Sequence, residues 1–547
     1  MDKIIKALVL VVLVIVYRPW FYLSKTLASG DWPYLFNETI QSFSFSPDPS
    51  FLWLGPYYQI TSKISAEYFH FPWSITEKIW WYWMFLAVSF FSSWYLSKIV
   101  LKNAKCNFLT ILIFLTNTYI LMIVGGGQMG VALSYAFAPA VMGSFIELIN
   151  AAHFKINFTF FKFAFLLAIQ FMFDPRITFI NMIAIIIYFL VSFFSEKSFK
   201  SKTIPVFFYA IGTAIMVLVV NSLWIIARFG SEGKNFFADS STGSIESLRF
   251  LSFGNFSSSL SLLHPNWPEN IFGKVYFVQP EFILISVLAF SSLLLLRITS
   301  YKSKDEKVEN RNILFFALLG LIGAFLAKGA KEPVGHLYEL LFSYAPGFSL
   351  FRDPTKFYLL VILSYGILIP FILERISEKL VAKLKWQYIP HVITILFILW
   401  WAWLIRPGLL GELSGTFKPR SVPIEYVQLK DFLIKDTKPF AIMWVPSRSP
   451  FSFFSTSHPI MDSTFLSSDT TPTGIRSLFT NKKNKSLLSE RSIKYVIVPE
   501  DVEGKIFLSD RKYSEVVYNE IVKGLKSVSY LKPVATFGKI VVFQVDQ

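Results

Sequence analysis

Residue types that build many reactive sites are scarce in this chain of 547 residues. Its one cysteine, Cys106, excludes an internal disulfide and any metal site made of several cysteines. Its six histidines are scattered, and no two of them have the spacing of paired metal ligands. The G-x-S-x-G turn that carries the serine of many hydrolases is also absent from the sequence.

Charged residues are scarce as well, at 16% of the chain, whereas soluble domains contain about 25%. Hydrophobic residues make up 54%, aromatic residues 18%, and the mean hydropathy is +0.50. A soluble fold could not cover this much apolar surface. We therefore predict that a lipid bilayer surrounds most of the chain.

The net charge of +16 would indicate nucleic-acid binding in a soluble protein. Here the basic residues lie mainly in short gaps between apolar runs, where they set the orientation of membrane helices. We therefore predict a bilayer partner and no nucleic-acid partner.

A membrane-spanning helix needs roughly 20 apolar residues. This rule predicts about eleven spans, near 4–24, 79–99, 108–124, 131–150, 159–173, 177–194, 205–228, 280–298, 313–328, 357–374 and 388–406. The first run lacks a small-residue cleavage site, so we expect an uncleaved span rather than a signal peptide.

Orientation follows from the basic gaps after the second, sixth, eighth and tenth spans, which we assign to the cytoplasm together with the N-terminus. The long loops 25–78, 229–279 and 329–356 then face outward, as does everything after Arg406. We expect an integral protein of the plasma membrane.

The sequence divides at residue 406. Residues 1–406 form the predicted membrane domain, and 407–547 become more polar. In this tail we predict helices over Ile424 to Ile434 and Tyr513 to Leu525, and strands at Ala441 to Val445, Ile493 to Pro499 and Ile540 to Val545. This pattern indicates a small extracytoplasmic α/β domain, which either binds an acceptor sugar or only caps the outer mouth.

Asp31 is the first candidate for chemistry. It lies in L-A-S-G-D-W-P-Y-L-F, just after the first span, where a lipid-linked head group would meet water. It could instead cap a helix that starts at Pro33. Trp32 and Tyr34 could stack on a sugar ring, and Glu38 follows two helical turns later.

The second candidate group is basic. In P-G-F-S-L-F-R-D-P-T-K-F, Arg352 and Lys356 share a face if the segment is helical, and both suit a phosphate. Lys328 lies upstream, and Asp353 before Pro354 resembles a helix cap. Simple snorkelling of these basic chains to the interface is the alternative.

Three further features lie in predicted outer loops. In F-M-F-D-P-R, Asp174 and Arg176 either pair with each other or contact a phosphate. The run G-G-G-Q-M-G, at 125–130, indicates a flexible turn rather than an anion site. His264 could line a pocket, and a divalent cation bound by Asp31 is possible but not required.

Three motifs resemble those of a known superfamily. G-D-W-P-Y-L (30–35), F-P-W-S-I-T-E-K-I-W-W (71–81) and F-R-D-P-T-K-F (351–357) resemble GT-C membrane glycosyltransferases, which use polyprenyl-phosphate sugars. Among these, the chain resembles cell-wall α-(1→3)-arabinofuranosyltransferases and YfhO-like membrane proteins. The tail motif I-K-Y-V-I-V-P is also similar to the outer domain of YfhO-like proteins.

The resemblance implies a polytopic all-α GT-C-like membrane protein that transfers a sugar with inversion at the outer face. The donor would be a polyprenyl-phosphate sugar, and the acceptor a cell-envelope glycan or lipid-linked molecule. Asp31 would act as the general base. Arg352 and Lys356, with Arg176 and Lys328, would bind the donor phosphate, while Trp32, Tyr34, Glu38, Asp174 and His264 would line the sugar and acceptor pocket.

Two other functions stay open from the sequence. A transporter or flippase of polyprenyl-linked glycans would carry charged residues in the middle of its spans. A non-enzymatic membrane protein would bind glycan or a partner through its outer tail.

Overall fold

The structure is a computed structural model of the whole chain. It describes residues 2–43, 55–101, 104–150, 157–195, 203–222, 225–226, 244–263, 271–272, 280–296, 304–467, 469–502 and 514–546. His264 and much of the predicted loop 229–279 lie outside these described residues.

Apolar helices make up the larger part of the fold. Among the described residues, seven are long and apolar enough to cross a membrane: Lys3–Phe21, Trp73–Leu101, Met129–Asn150, Pro175–Ser195, Thr203–Val220, Glu306–Ala327 and Pro354–Leu384. A pair bent by 43°, Cys106–Thr116 and Thr118–Gly125, forms an eighth candidate, and shorter apolar helices span Phe158–Phe173, Pro280–Leu295 and Ile389–Leu404. An apolar helix thus lies at each of the eleven predicted positions, and the protein is an integral membrane protein.

The bend in the pair has a local cause. Asn117 interrupts the helix, and its side-chain oxygen accepts a hydrogen bond from the backbone N–H of Ile120 at 3.0 Å. Its amide nitrogen donates to the carbonyl oxygens of Ile113 and Phe114, both at 2.9 Å. One asparagine therefore caps both halves, which keeps the buried backbone groups at the break hydrogen-bonded.

Helices Met129–Asn150 and Pro354–Leu384 are almost wholly enclosed by protein, whereas Thr203–Val220 lies at the periphery. Short helices connect the spans and lead into the tail: Asn37–Ser42, Gly55–Lys63, Ile245–Leu251, Phe256–Leu260, Gly335–Tyr344 and Arg406–Leu410. Two 3-10 turns, Phe348–Phe351 and Pro354–Phe357, flank Arg352, so Arg352 and Lys356 do not share one continuous helix.

The tail forms a separate mixed sheet. Its strands are β1 (Ala441–Trp444), β2 (Ile460–Asp462), β3 (Ile493–Pro499), β4 (Leu531–Phe537) and β5 (Ile540–Val545), in the order β2-β1-β3-β5-β4. β1 pairs parallel with β2 and β3, while β5 runs antiparallel to β3 and β4. The helices Ile424–Ile434, Pro472–Thr480, Lys482–Glu490 and Glu515–Lys526 accompany the sheet, and the predicted α/β tail is confirmed.

Candidate active site

Asp31 lies in a tight turn and does not begin a helix. Ser29 and Trp32 exchange two backbone hydrogen bonds, each of 2.9 Å, around Gly30 and Asp31. Residues 33–36 form neither helix nor strand, and the next helix begins only at Asn37. The capping alternative for Asp31 is therefore wrong, and its carboxyl has no helix N-terminus to satisfy.

The glycine-rich run at 125–130 packs directly against this turn. The backbone N–H of Asp31 donates to the carbonyl oxygen of Gly126 at 3.0 Å. A Cβ on Gly127 would lie 2.6 Å from the carbonyl oxygen of Ser29 and the amide nitrogen of Trp32, which is closer than real Cβ contacts. Glycine is thus required here so that two backbones can touch, and the run is a tightly packed support rather than a flexible turn.

The Asp31 carboxyl combines access to water with a partly buried environment. The residue is exposed, yet burial by surrounding protein raises the pKa of Asp31 above its usual value. A hydrogen bond from Gln128 and the positive charges of Arg448, Lys356 and Arg176 act in the opposite direction. Asp31 is therefore a solvent-accessible carboxyl with protein packed around it and cations within electrostatic range.

Asp174 and Arg176 form the first ion pair beside Asp31. The Arg176 guanidinium donates to both carboxylate oxygens of Asp174, at 3.1 and 2.7 Å. Burial alone would raise the pKa of Asp174, but Arg176, with a smaller effect from Lys356, holds it below its usual value. The predicted pairing is confirmed, and it leaves the Arg176 charge close enough to act on Asp31.

Lys356 and Asp353 form the second pair. The Lys356 ammonium, which is almost fully buried, donates to Asp353 Oδ2 at 2.8 Å. Asp353 Oδ1 accepts hydrogen bonds from the backbone N–H and the hydroxyl of Thr355, at 3.1 and 2.6 Å, so the predicted cap is confirmed. Asp31, Asp174, Arg176, Asp353 and Lys356, called here the Asp31 cluster, thus bring residues from three distant segments within electrostatic range.

Two other basic candidates lie apart from this cluster. Arg352 is exposed and has no hydrogen bond or ion pair within the described residues. Lys328 is buried, and its ammonium donates to the carbonyl oxygens of Gly329 and Lys331, at 3.3 and 2.6 Å, while it stands over the Phe325 ring. Lys328 is therefore held by its own turn.

The aromatic candidate Trp32 lies in the core rather than beside an open pocket. Its side chain is 2% exposed, and its ring stacks on Trp73 with centroids 5.8 Å apart. Its indole N–H donates to Glu77 Oε2 at 2.9 Å. With its ring faces packed and its polar atom bonded, Trp32 organises the loop and leaves no face open for a sugar.

Glu77 is an anchor that the sequence did not reveal. It is unexposed, accepts a hydrogen bond from the backbone N–H of Leu27 at 2.8 Å, and lies 3.6 Å from the Lys78 ammonium. Together with the Trp32 contact, this carboxylate holds both sides of the Asp31 turn. In the sequence, the only sign of this role is a Glu-Lys pair at the very start of an apolar run. A charged pair also occurs at such a position simply because it lies at the membrane interface, so the pattern does not distinguish the two roles.

Tyr34 and Glu38 contact the tail. The backbone N–H of Tyr34 donates to the carbonyl oxygen of Pro450 at 2.7 Å, and the Lys430 ammonium donates to Glu38 Oε1 at 2.8 Å. Arg420 extends the seam with hydrogen bonds to the carbonyl oxygen of Ala28, at 3.1 and 2.8 Å. The first loop and the tail therefore form a continuous interface.

This interface brings one further cation to the site. Arg448 lies two residues before Pro450, is half exposed, and its Nε is 3.9 Å from Asp462 Oδ2. Its positive charge lowers the pKa of Asp31. No local pattern around Arg448 marks it, because only the docking of two distant segments places it near Asp31.

A metal centre has little support in the residues described. No group of three His, Cys, Asp or Glu side chains in that part of the chain is arranged to hold a metal ion. The carboxylates of Asp174 and Asp353 are each paired with a cation. The groups present fit an anion or a neutral sugar better than a divalent cation.

Solved structures share this architecture. Two cryo-EM structures of the arabinofuranosyltransferase AftD from Mycobacteria, one of them a mutant, match all of this chain with TM-scores of 0.58 and 0.59, each at 12% identity. The chain has a GT-C-like fold. It spans about 40% of the length of the AftD chains it matches.

A crystal structure of ArnT from Cupriavidus metallidurans, in the apo state, aligns over 98% of this chain and 97% of its own at 10% identity, with a TM-score of 0.41 that is too low to support the fold. No protein-family model and no curated protein matches the sequence.

Proposed function

We propose that this protein is a membrane glycosyltransferase that moves a sugar from a polyprenyl-phosphate donor to a cell-envelope glycan or lipid-linked acceptor. The observation that carries the proposal is the exposed Asp31 carboxyl within electrostatic range of the cations Arg176, Lys356 and Arg448. The GT-C-like fold supports it, since AftD, with which the chain shares this fold, is named as an arabinofuranosyltransferase.

In the proposed reaction, Asp31 accepts the proton of an acceptor hydroxyl. The hydroxyl oxygen attacks the anomeric carbon from the face opposite the phosphate, the bond from that carbon to the phosphate oxygen breaks, and configuration inverts. Polyprenyl phosphate leaves with the bonding electron pair. A base with a raised pKa takes a proton more readily at neutral pH than an ordinary carboxylate does.

The leaving phosphate gains negative charge, which cations fixed in advance stabilise. Arg176 and Lys356 supply charge from within the protein, although each is partly neutralised by its own carboxylate. Arg448 is held less closely by Asp462 and reaches the site from the tail. Arg352, exposed and unbonded in the described chain, suits a phosphate that enters from the membrane side.

This assignment gives the tail a working role. Because Arg448 belongs to the tail, that domain contributes to the wall of the site as well as covering it.

We further propose that the face carrying Asp31 and the tail is extracytoplasmic and that the N-terminus is cytoplasmic, since basic gaps flank the opposite ends of the spans.

The test is transfer by purified protein in lipid, supplied with a panel of polyprenyl-phosphate sugars and scored for released polyprenyl phosphate. Asp31→Asn should lower turnover by roughly 10²–10⁴-fold, the usual contribution of a general base. Asp31→Glu keeps a carboxylate and should retain more activity than the asparagine variant.

Asp546→Asn is the matched control, since Asp546 is a half-exposed carboxylate just after β5 that pairs with Lys532. It should turn over like the unmodified protein. Full activity in Asp31→Asn would remove the proposed base. Translocation of the lipid-linked sugar with no new glycosidic bond would favour the transporter alternative.

A further inference from the structure

A cavity lies where the first membrane helix meets the segment that leads into the tail. Its volume is about 140 Å³, and Val16, Arg18, Tyr22, Gly411, Leu413 and Phe417 are among the residues that line it. Its walls are largely apolar, while Arg18 supplies a positive charge at its edge. Neither the Asp31 cluster nor the proposed reaction uses these residues.

Two cations approach one glycine of the cavity wall: Arg18, which is part of that wall, and Lys418, which follows the wall residue Phe417 in sequence. Gly411 has a φ of +77°, and a Cβ on it would lie only 2.9 Å from Arg18 Nη2. The Lys418 ammonium donates to the carbonyl oxygen of the same glycine at 2.7 Å. A guanidinium and an ammonium therefore both lie close to this one glycine.

No carboxylate in the described chain pairs with either cation. Glu412 follows Gly411 directly, but it is exposed and forms no ion pair with Arg18 or Lys418. Two neighbouring positive charges repel each other, so a site of this kind is more stable when an anion lies between them.

The surroundings of the cavity mark the boundary between lipid and water. Arg18 lies in the last turn of the apolar helix Lys3–Phe21, and the apolar helix Ile389–Leu404 ends just before the other wall. Around the opening, large apolar side chains are exposed: Phe21, Tyr22, Leu23, Trp403 and Leu410. Aromatic and basic residues together at the ends of apolar helices are typical of the head-group level of a bilayer.

The cavity is separate from the Asp31 cluster. Phe417 lines the cavity, is itself buried, and stacks on Trp20 with centroids 5.3 Å apart. Its ring also lies 3.6 Å from the position of a Cβ on Gly125, in the run that supports Asp31. A ring and a packed backbone turn therefore stand between the two sites.

We propose that this cavity binds the phosphate of an anionic bilayer phospholipid, with Arg18 and Lys418 on the head group and the acyl chains along the exposed apolar side chains. An arginine beside a lysine is a common way of holding a phosphate, because the guanidinium can donate two parallel hydrogen bonds. Snorkelling alone places one basic chain toward water, whereas here two basic chains lie close to the same glycine of a cavity wall. The proposal does not depend on the proposed glycosyl transfer.

The test uses full-length protein in nanodiscs of mixed phosphatidylglycerol and phosphatidylcholine, with retained lipid counted by native mass spectrometry. Unmodified protein should retain phosphatidylglycerol preferentially. The double variant Arg18→Gln/Lys418→Gln should bind it about 30-fold more weakly, from the loss of two basic residues near an anionic lipid surface.

Lys435→Gln/Lys438→Gln is the matched control, because it removes two exposed lysines elsewhere in the tail. It should retain phosphatidylglycerol like the unmodified protein. Equal retention by the cavity variant, equal loss in the control, or no preference over phosphatidylcholine would each overturn the proposal. Displacement of phosphatidylglycerol by equimolar short-chain polyprenyl phosphate would also overturn it, since the site would then belong to the donor lipid.

Discussion

The buried carboxylate of Glu77 is expected to be a main support of the loop that carries Asp31. Glu77→Ala removes the acceptor of the Leu27 N–H and Trp32 indole hydrogen bonds and the countercharge of Lys78. Neither Glu77 nor Lys78 has any exposed side-chain surface. The change therefore leaves a buried ammonium and two buried donors without their shared partner.

The magnitude follows from this burial. Breaking a buried ion pair by removing one partner typically costs about 3–5 kcal/mol. Lys78 keeps two hydrogen bonds, from its ammonium to the carbonyl oxygens of Lys25 and Ser74, both at 2.5 Å. These bonds partly replace the lost partner, so we expect the lower end, about 3 kcal/mol of unfolding free energy.

Glu38→Ala is the control, because the same residue type there forms a partly exposed pair with Lys430. Lys430 also pairs with Asp431, so the expected cost is about 0–1 kcal/mol. Both free energies are measured by denaturant unfolding in detergent, followed by tryptophan fluorescence. A Glu77→Ala cost within 1 kcal/mol of the Glu38→Ala cost would refute this reasoning.

Three further predictions concern the site and its orientation. Gly127→Ala should lower sugar transfer sharply, because the added Cβ displaces the Asp31 turn. In the control Gly125→Ala the added Cβ meets only ordinary contacts of 3.6 Å, so its effect on transfer should be mild. Equal activities of the two variants would contradict this reasoning. Lys356→Gln removes a charge that lowers the pKa of Asp31, so that pKa should rise further. Because the base acts when ionised, the acid limb of the pH–rate profile should then move to higher pH, and an unmoved limb would argue against it. Lys435→Cys should react with an impermeant thiol reagent in intact cells, since the native cysteine is buried; labelling only after permeabilisation would reverse the orientation.

Much of the fold is predictable from the sequence because apolar runs decide it. Each predicted span position holds an apolar helix, and Ile493–Pro499 and Ile540–Val545 are strands as predicted. The strands Ile460–Asp462 and Leu531–Phe537 were missed. Both lie at the edges of the sheet, and the first is three residues long while the second is largely exposed, so neither carries a strong apolar signal.

The site is only partly predictable, because burial and docking are properties of the folded chain. The sequence marks Asp31, Arg176 and Lys356 as chemically suited residues, and the structure brings them within electrostatic range. The sequence cannot show that the Trp32 side chain turns inward to Glu77, since an aromatic residue after an acidic one fits a sugar pocket equally well. The position of Arg448 is even less predictable from the sequence, because it depends on contacts between segments about 400 residues apart, such as Thr39 with Phe454.

The most direct test of the central claim is a cryo-EM structure of the protein with bound polyprenyl phosphate. Our account predicts phosphate density beside Asp31, in contact with Lys356, Arg176 or Arg448. Phosphate density confined to another part of the molecule, such as the cavity at Arg18, would contradict the assignment of sugar transfer to Asp31.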